Sequence, residues 1–304
     1  MKLAVEFPSV SYREGAAGII RLAQEVERIG FDQLDMFDHV VMGYATDTRA
    51  APIYPPQMPI MEALMMLSFM ASVTTTIGLG TEVLVLPQRN PTLTAKQIST
   101  LDTLSGGRVR LGVGVGWQES EYEALGEDFS SRGKRMDEAI NLLRSYWGDE
   151  RIDAATEHYS FEAIAMEPKP PQGASLPIWI GGHSSRALRR VGELGDGWLA
   201  TSRMSDERAV KSKEEIFRHA EKADRDPGNI GFQMMLDSPP TDDKGKQFYS
   251  DMDRVASSAI RIQNLGFGWA TINMTAIFQS GARSIDAQVN VLGNIHDRIS
   301  RDLD

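Results

Sequence analysis

The sequence of 304 residues contains no cysteine. Disulfides, thiolate nucleophiles and thiolate metal ligands are therefore excluded, and the absence fits a cytoplasmic protein. Positive charge is in deficit, with 32 Lys and Arg against 42 Asp and Glu and a net charge of −10. Nucleic acid or an anionic membrane surface would call for a basic face, so neither is an expected partner. No apolar run reaches the ~18 residues of a membrane span. The first residues, Lys2 to Phe7, read as a strand and not as a signal peptide. The five histidines are scattered without metal-ligand spacing, so no metal is expected. A His-x-His at the end of the first strand pattern is missing, as are a G-x-S-x-G elbow and a lysine at the end of the sixth strand pattern. With these chemistries set aside, a borrowed cofactor is the natural supplier of reactivity.

What is present is a regular alternation of strand and helix patterns. Strands are expected over 3–7, 33–37, 77–86, 109–113, 177–180, 197–201, 230–236 and 269–274. Helices are expected over 14–29, from about 59 to 70, 92–104, 119–125, 131–147, 185–194, 206–224, 252–265 and 284–299. The strands read as apolar runs without polar alternation, the pattern of parallel strands buried on both faces. Eight such units in about 250–300 residues are the arithmetic of a (β/α)8 TIM barrel. An open doubly wound sheet would ordinarily use fewer strands. We expect a single domain over 1–304, with insertions in the loops that follow the strands. The polar, proline-rich loop over 43–58 is long enough to be a lid or binding loop. Met61, Met65 and Met70 recur at helical spacing, which suits core filling or a homodimer interface. Residues 151–175 read as an irregular surface excursion.

Barrel enzymes build their sites at the C-terminal ends of the strands. The second strand ends in Asp38-His39. Histidine changes charge near neutral pH, although Asp38 and His39 point to opposite faces of an extended chain and form no dyad by sequence alone. A hydrogen-bonded histidine at a strand end is the alternative. Glu82 stands in an otherwise apolar strand, which is unfavourable unless it faces a wet pocket or the strand end is exposed. Gly112, Gly114 and Gly116 alternate before Trp117, a strand end without Cβ atoms that would admit a planar ligand or simply turn tightly. The spacing is G-x-G-x-G, not the dinucleotide fingerprint G-x-G-x-x-G. Gly181-Gly182-His183-Ser184-Ser185 leads into a helix whose first N–H groups could bind an anion, with the serines as alternative N-caps. Arg186, Arg189 and Arg190 add positive charge nearby.

The segment LSGGRVRLGVGVGW, from Leu104 to Trp117, resembles the signature of the luciferase-like monooxygenase superfamily, most of all its branch that uses the deazaflavin coenzyme F420. IWIGGHSSRALRRVGELGDGW, from Ile178 to Trp198, is similar to the same family. The resemblance extends over nearly the whole chain and thins after Gly228. It implies a bacterial-luciferase-like barrel and hydride transfer between F420 and a small organic substrate, with FMN as the alternative cofactor. It places His39, as the proton-handling catalytic residue, and Asp38 beside the ring. A bulge with a non-prolyl cis peptide between Glu82 and Val83 would back the ring, together with Val85. Gly114, Gly116, Trp117, Ser120 and Thr201 are implied as further cofactor contacts. Gly181, Gly182, His183 and Ser184 would hold the phosphate of the cofactor tail. Two departures stand out. Gly43 occupies the place of a tryptophan found in some deazaflavin enzymes, and Trp117 replaces an acid of sugar-phosphate-oxidising relatives, so glucose 6-phosphate is not an expected substrate. The alternatives are an FMN-dependent monooxygenase with a reductase partner and oxygen, or a ligand-binding barrel without catalysis.

Overall fold

Eight parallel strand positions close into a ring in the computed structural model, which describes residues 1–8, 13–237 and 247–303. In chain order the strands are β1 (Lys2–Glu6), β2 (Gln33–Met36), β3 (Gly78–Thr81), β4 (Leu84–Val85), β5 (Val109–Gly114), β6 (Ile152–Ala155), β7 (Ser160–Ile164), β8 (Ile178–Gly181), β9 (Gly197–Ala200), β10 (Gly231–Met235) and β11 (Trp269–Asn273). The ring runs β1-β2-β3-β5-β8-β9-β10-β11 and returns to β1. Leu79 pairs with Val109 across β3 and β5, and Leu3 pairs with Ala270 across β1 and β11. This is the (β/α)8 barrel that the strand count predicts.

The helices are α1 (Gly15–Ile29), α2 (Ala63–Ala71), α3 (Pro91–Ser105), α4 (Glu119–Leu125), α5 (Arg132–Gly148), α6 (Ser185–Leu194), α7 (Asp206–Lys222), α8 (Met252–Asn264), α9 (Met274–Gln279) and α10 (Ile285–Leu303). Side chains alternate across each strand. Leu3 and Val5 of β1, Leu34 and Met36 of β2, and Leu111 and Val113 of β5 join the buried apolar cluster with helix residues such as Leu22 and Val26. The apolar core is thus the shell between strands and helices. The opposite strand faces carry Gln33, Asp35, Arg110, Gln233 and Thr271, all buried. The barrel interior is polar, so the apolar runs mark one face and not two.

Four boundaries differ from the sequence reading. Glu62 accepts a hydrogen bond from Met65 N at 2.7 Å and caps α2, which therefore starts at Ala63. Met66 and Met70 fill the core, whereas Met65 is exposed. The third strand is interrupted after Thr81 and resumes as β4, which pairs with β5 through Leu84 and Val113. Residues 151–175 contain the antiparallel hairpin β6–β7, hidden from pattern reading because it is short and buries little beyond Ile152. A short helix, α9, follows β11, with Asn273 as its cap. Most of the polar segment 237–245 lies outside the described residues. Among the described residues no helix is long and apolar enough to cross a membrane.

Candidate active site

The loops after β2 and β5 meet at one end of the barrel. His39 is buried there, its Nδ1 3.1 Å from Glu121 Oε2. The other oxygen of Glu121 accepts from the backbone N–H groups of Val40 and Val41. Burial opposes the charge of Glu121, but the hydrogen bond and charge of His39, with the two N–H groups, hold its carboxyl below the usual range. Gln118 adds a second clamp, accepting from Gly43 N at 3.0 Å and donating to Val41 O at 2.6 Å. A Cβ on Gly43 would lie 2.2 Å from Ser120 Oγ, so a side chain there would require Ser120 to move. Tyr54, from the long loop, and Trp117 stand edge-to-face with His39 at 5.8 and 5.3 Å between ring centroids. Sequence reasoning did not single out Glu121 or Tyr54. Glu121 looks like one more acid in the first turn of α4, and Tyr54 like a loop residue.

The peptide between Glu82 and Val83 is cis, where the resemblance implies it. Asp38 does not face an open space. Its Oδ2 accepts from Val85 N at 3.0 Å and its Oδ1 from Arg89 Nη2 at 2.8 Å, while Arg89 Nη1 reaches Glu62 Oε1 at 2.9 Å. Burial raises the Asp38 carboxyl despite the nearby guanidinium. Both oxygens of Asp38 therefore anchor the bulge, and its contacts are with protein. The glycines behave likewise. A Cβ on Gly112 would lie 1.8 Å from Thr81 O, on Gly114 2.6 Å from Val83 Cγ2, and on Gly181 2.8 Å from Val83 Cγ1. A Cβ on Gly116 would lie 2.6 Å from Val85 Cγ1. The room left by these glycines is filled by the bulge, not by an open floor, and Val83 itself remains half-buried.

The Glu82 side chain turns to the barrel interior, where Gln233 Nε2 donates to it at 2.9 Å and Thr271 Oγ1 at 3.0 Å. Burial and the charge of Asp35 push its carboxyl up to about 8, against Arg110. Glu6, buried at the end of β1, is raised well above the usual range by burial and by Glu82, Asp237 and Asp35. Asp237, after β10, accepts from Tyr249 Oη at 2.6 Å and is pushed up to about 7 by burial. Of these acids only Glu82 is foreseen from sequence. Glu6 carries the same signal, a charge closing an apolar strand.

At the third corner, Ser184 Oγ accepts from Ala187 N at 3.2 Å and so caps α6. Gly182 has φ +117°, which side chains rarely adopt, and its carbonyl accepts from Trp198 Nε1 at 2.7 Å. His183 and Ser184 are exposed. Arg189 and Arg190 are not available to an anion here, because both bind Asp137. Arg208 of α7 is, since its Nη2 donates to His183 O at 3.1 Å and the side chain is exposed. Thr201 Oγ1 accepts from Arg203 N at 3.3 Å at the end of β9. The structure thus brings His39, Trp117, Ser120 and the bulge to one rim, with the Gly181–Ser184 turn joined to it through Val83.

The profile described as luciferase-like monooxygenase matches residues 3–241. An uncharacterized protein of Mycobacterium tuberculosis is 34% identical over 188 residues, which are 59% of this chain and 64% of that protein. The match therefore spans less than two thirds of that relative. An FMNH2-dependent dimethylsulfone monooxygenase of Pseudomonas putida is 27% identical over 86% of this chain and 68% of its own. An F420-dependent glucose-6-phosphate dehydrogenase of Mycobacterium avium is 29% identical over 62% of this chain and 54% of its own. Among solved structures, an F420-dependent secondary alcohol dehydrogenase superposes with a TM-score of 0.79 at 16% identity, covering 98% of both chains, which is likeness of fold. Strand count, interrupted third strand and profile agree: this chain belongs to the luciferase-like monooxygenase family, whose members include F420-dependent dehydrogenases and FMNH2-dependent monooxygenases.

Proposed function

We propose that this chain is an oxidoreductase that binds coenzyme F420 at the mouth of the barrel and passes hydride between it and a small organic substrate. The observation that carries the reading is the His39–Glu121 pair, buried beside two aromatic rings and next to the bulge. The residues present fit the cofactor. Val83 offers a half-buried apolar wall for a flat ring. The exposed turn before α6, with Arg208 beside it, offers backbone N–H groups and a guanidinium to a phosphate. Bound there, the deazaflavin supplies hydride chemistry, which no side chain of the protein can supply. His39 handles the accompanying proton. Its Nδ1 is held by the Glu121 carboxylate, which leaves Nε2 to give or take a proton at the substrate.

A second reading, an FMN-dependent monooxygenase served by a reductase, is supported by the Pseudomonas putida relative, whose match covers 86% of this chain. Titration of the purified protein with F420 and with FMN, followed by cofactor fluorescence, separates the two. Tighter binding of F420 is expected. Binding of FMN alone would move the assignment to the monooxygenase, and binding of neither would leave a ligand-binding barrel.

A further inference from the structure

Where the ring closes, β1 pairs with β11, and α1 packs against α10. The first turns of both helices lie on the face that carries the strand ends. Gly18 lets the two approach, since a Cβ there would lie 2.9 Å from Ile285 Cδ1, and Arg21 is paired with Asp286. Between α1, α9 and α10 is a cleft of about 170 Å³, and none of the residues around His39 lines it. It is smaller than the roughly 300–1,000 Å³ of sites for larger ligands, so it suits a small molecule. Gln288 lines the cleft and is 4% exposed. Its Oε1 is buried without a donor, and its Nε2, which is not closed off in the same way, donates to no described residue. A buried amide with neither end paired is rare in a folded interior. Arg283 lines the same cleft, and its exposed guanidinium binds no described carboxylate. Ile285, the first residue of α10, lines it too, and its N–H finds no acceptor among the described residues. Glu14 is the one acid in the lining, exposed and likewise unpaired. Arg13, already engaged, lies at the same rim. Buried Leu22 and Ile285 and half-buried Phe278 supply an apolar wall.

We infer that this cleft is a second binding site, for a free α-amino acid with an apolar side chain. The carboxylate accepts from Gln288 Nε2, from the Arg283 guanidinium and from the first N–H of α10, a set made only of donors. The helix N-terminus favours the same negative charge. The ammonium group has three donors and no acceptor, and it pairs with Glu14. The side chain lies against Leu22, Phe278 and Ile285, away from water. A plain anion would leave Glu14 facing a like charge, and a plain amine would meet Arg283, so each is disfavoured. The three parts of an amino acid thus match three parts of the lining. The inference stands apart from the proposed function, because it uses neither the cofactor nor His39.

The test uses four probes that share one carbon skeleton: L-leucine, 2-hydroxy-4-methylpentanoate, 4-methylpentanoate and 3-methylbutylamine. Their binding is measured by isothermal titration calorimetry at neutral pH, on the full chain with no cofactor added. L-Leucine is expected to bind, and each of the others about tenfold or more weakly, the scale of one charged hydrogen bond. Arg283→Gln and Gln288→Leu, checked for folding by thermal melting, are each expected to weaken leucine about tenfold or more. Arg283 is exposed, so its variant keeps the fold. Absence of leucine binding overturns the inference. So does any of the other three probes binding as tightly as leucine, a comparison that needs no variant. Unchanged leucine affinity in both folded variants puts leucine elsewhere on the protein and overturns the site as well.

Discussion

Glu121 holds His39 by Nδ1 at 3.1 Å and the backbone beside it by its other oxygen. A carboxylate in that place fixes which ring nitrogen carries the proton and which way the ring faces. His39→Ala is expected to lower turnover about 10²–10⁴-fold, the span of a general acid–base group, with cofactor affinity largely kept. Glu121→Gln is expected to lower turnover by a smaller factor and to change its pH profile, because an amide no longer selects the tautomer. Steady-state kinetics across pH on the three proteins decide this. Identical profiles would remove both residues from the mechanism.

The glycines after β5 make room for the bulge, and that relation can be measured. Gly114→Ala would set a Cβ 2.6 Å from Val83 Cγ2 and is expected to destabilise the fold by about 1–3 kcal/mol, as overpacking does. Combining it with Val83→Ala should recover part of that loss. Urea unfolding of the single and double variants gives the coupling directly. Strict additivity would show that the two side chains do not compete for the same space.

Arg208 is expected to report on the phosphate of the cofactor. Arg208→Gln should weaken F420 and FMN about tenfold or more, the scale of a charged hydrogen bond, while the exposed position keeps the melting temperature nearly unchanged. Gly182 is a poor probe, since its φ of +117° strains any side chain. Unaltered affinity in Arg208→Gln, measured by titration calorimetry, would put the cofactor tail elsewhere.

Glu27 links α1 to the chain entering β3, accepting from the N–H groups of Thr75, Thr76 and Ile77 at 2.8, 2.6 and 3.0 Å. Partial burial works against its charge, yet these N–H groups lower its carboxyl to about 2. The folded value lies below the unfolded one, about 4.3. The stabilisation is therefore present above that unfolded value and is lost as pH falls toward about 2. Glu27→Gln should melt earlier than the parent at pH near neutral, with the gap closing through that acid window. A gap that stays constant with pH would mean that the carboxylate charge contributes nothing.

The barrel was legible in the sequence because each strand keeps one apolar face toward the helices, as Leu3 and Val5 do in β1. The opposite face was not, because Asp35 is engaged by Arg110 and the Gln233 amide by Glu82 and Thr271, partners far along the chain. His39, Trp117 and the cis peptide at Glu82–Val83 were reached through motifs that are contiguous in sequence. Asp38 was misjudged in its contacts, since adjacency to His39 gives no hint of Val85 N or Arg89. Glu6, Asp237 and Tyr249 were missed because their meaning depends on closure of the ring, which pairs β1 with β11 and β11 with β10, and Glu121 because its partner His39 lies 82 residues away in the chain.

The loop between β2 and α2 is pinned at its start, where Gly43 binds Gln118, and at its end, where Glu62 binds Arg89. Between these pins it is held by Tyr54 against the rings and by Arg49 on Glu123 at 2.8 Å. A strap fastened at both ends opens by bowing in its middle, not by swinging away. The Arg49–Glu123 pair is largely exposed on its acidic side, so dissolved salt weakens it while leaving the buried chemistry beneath untouched. Traffic of small molecules through the mouth should therefore quicken as ionic strength rises, which stopped-flow binding at low and high salt would record as faster entry and faster exit together.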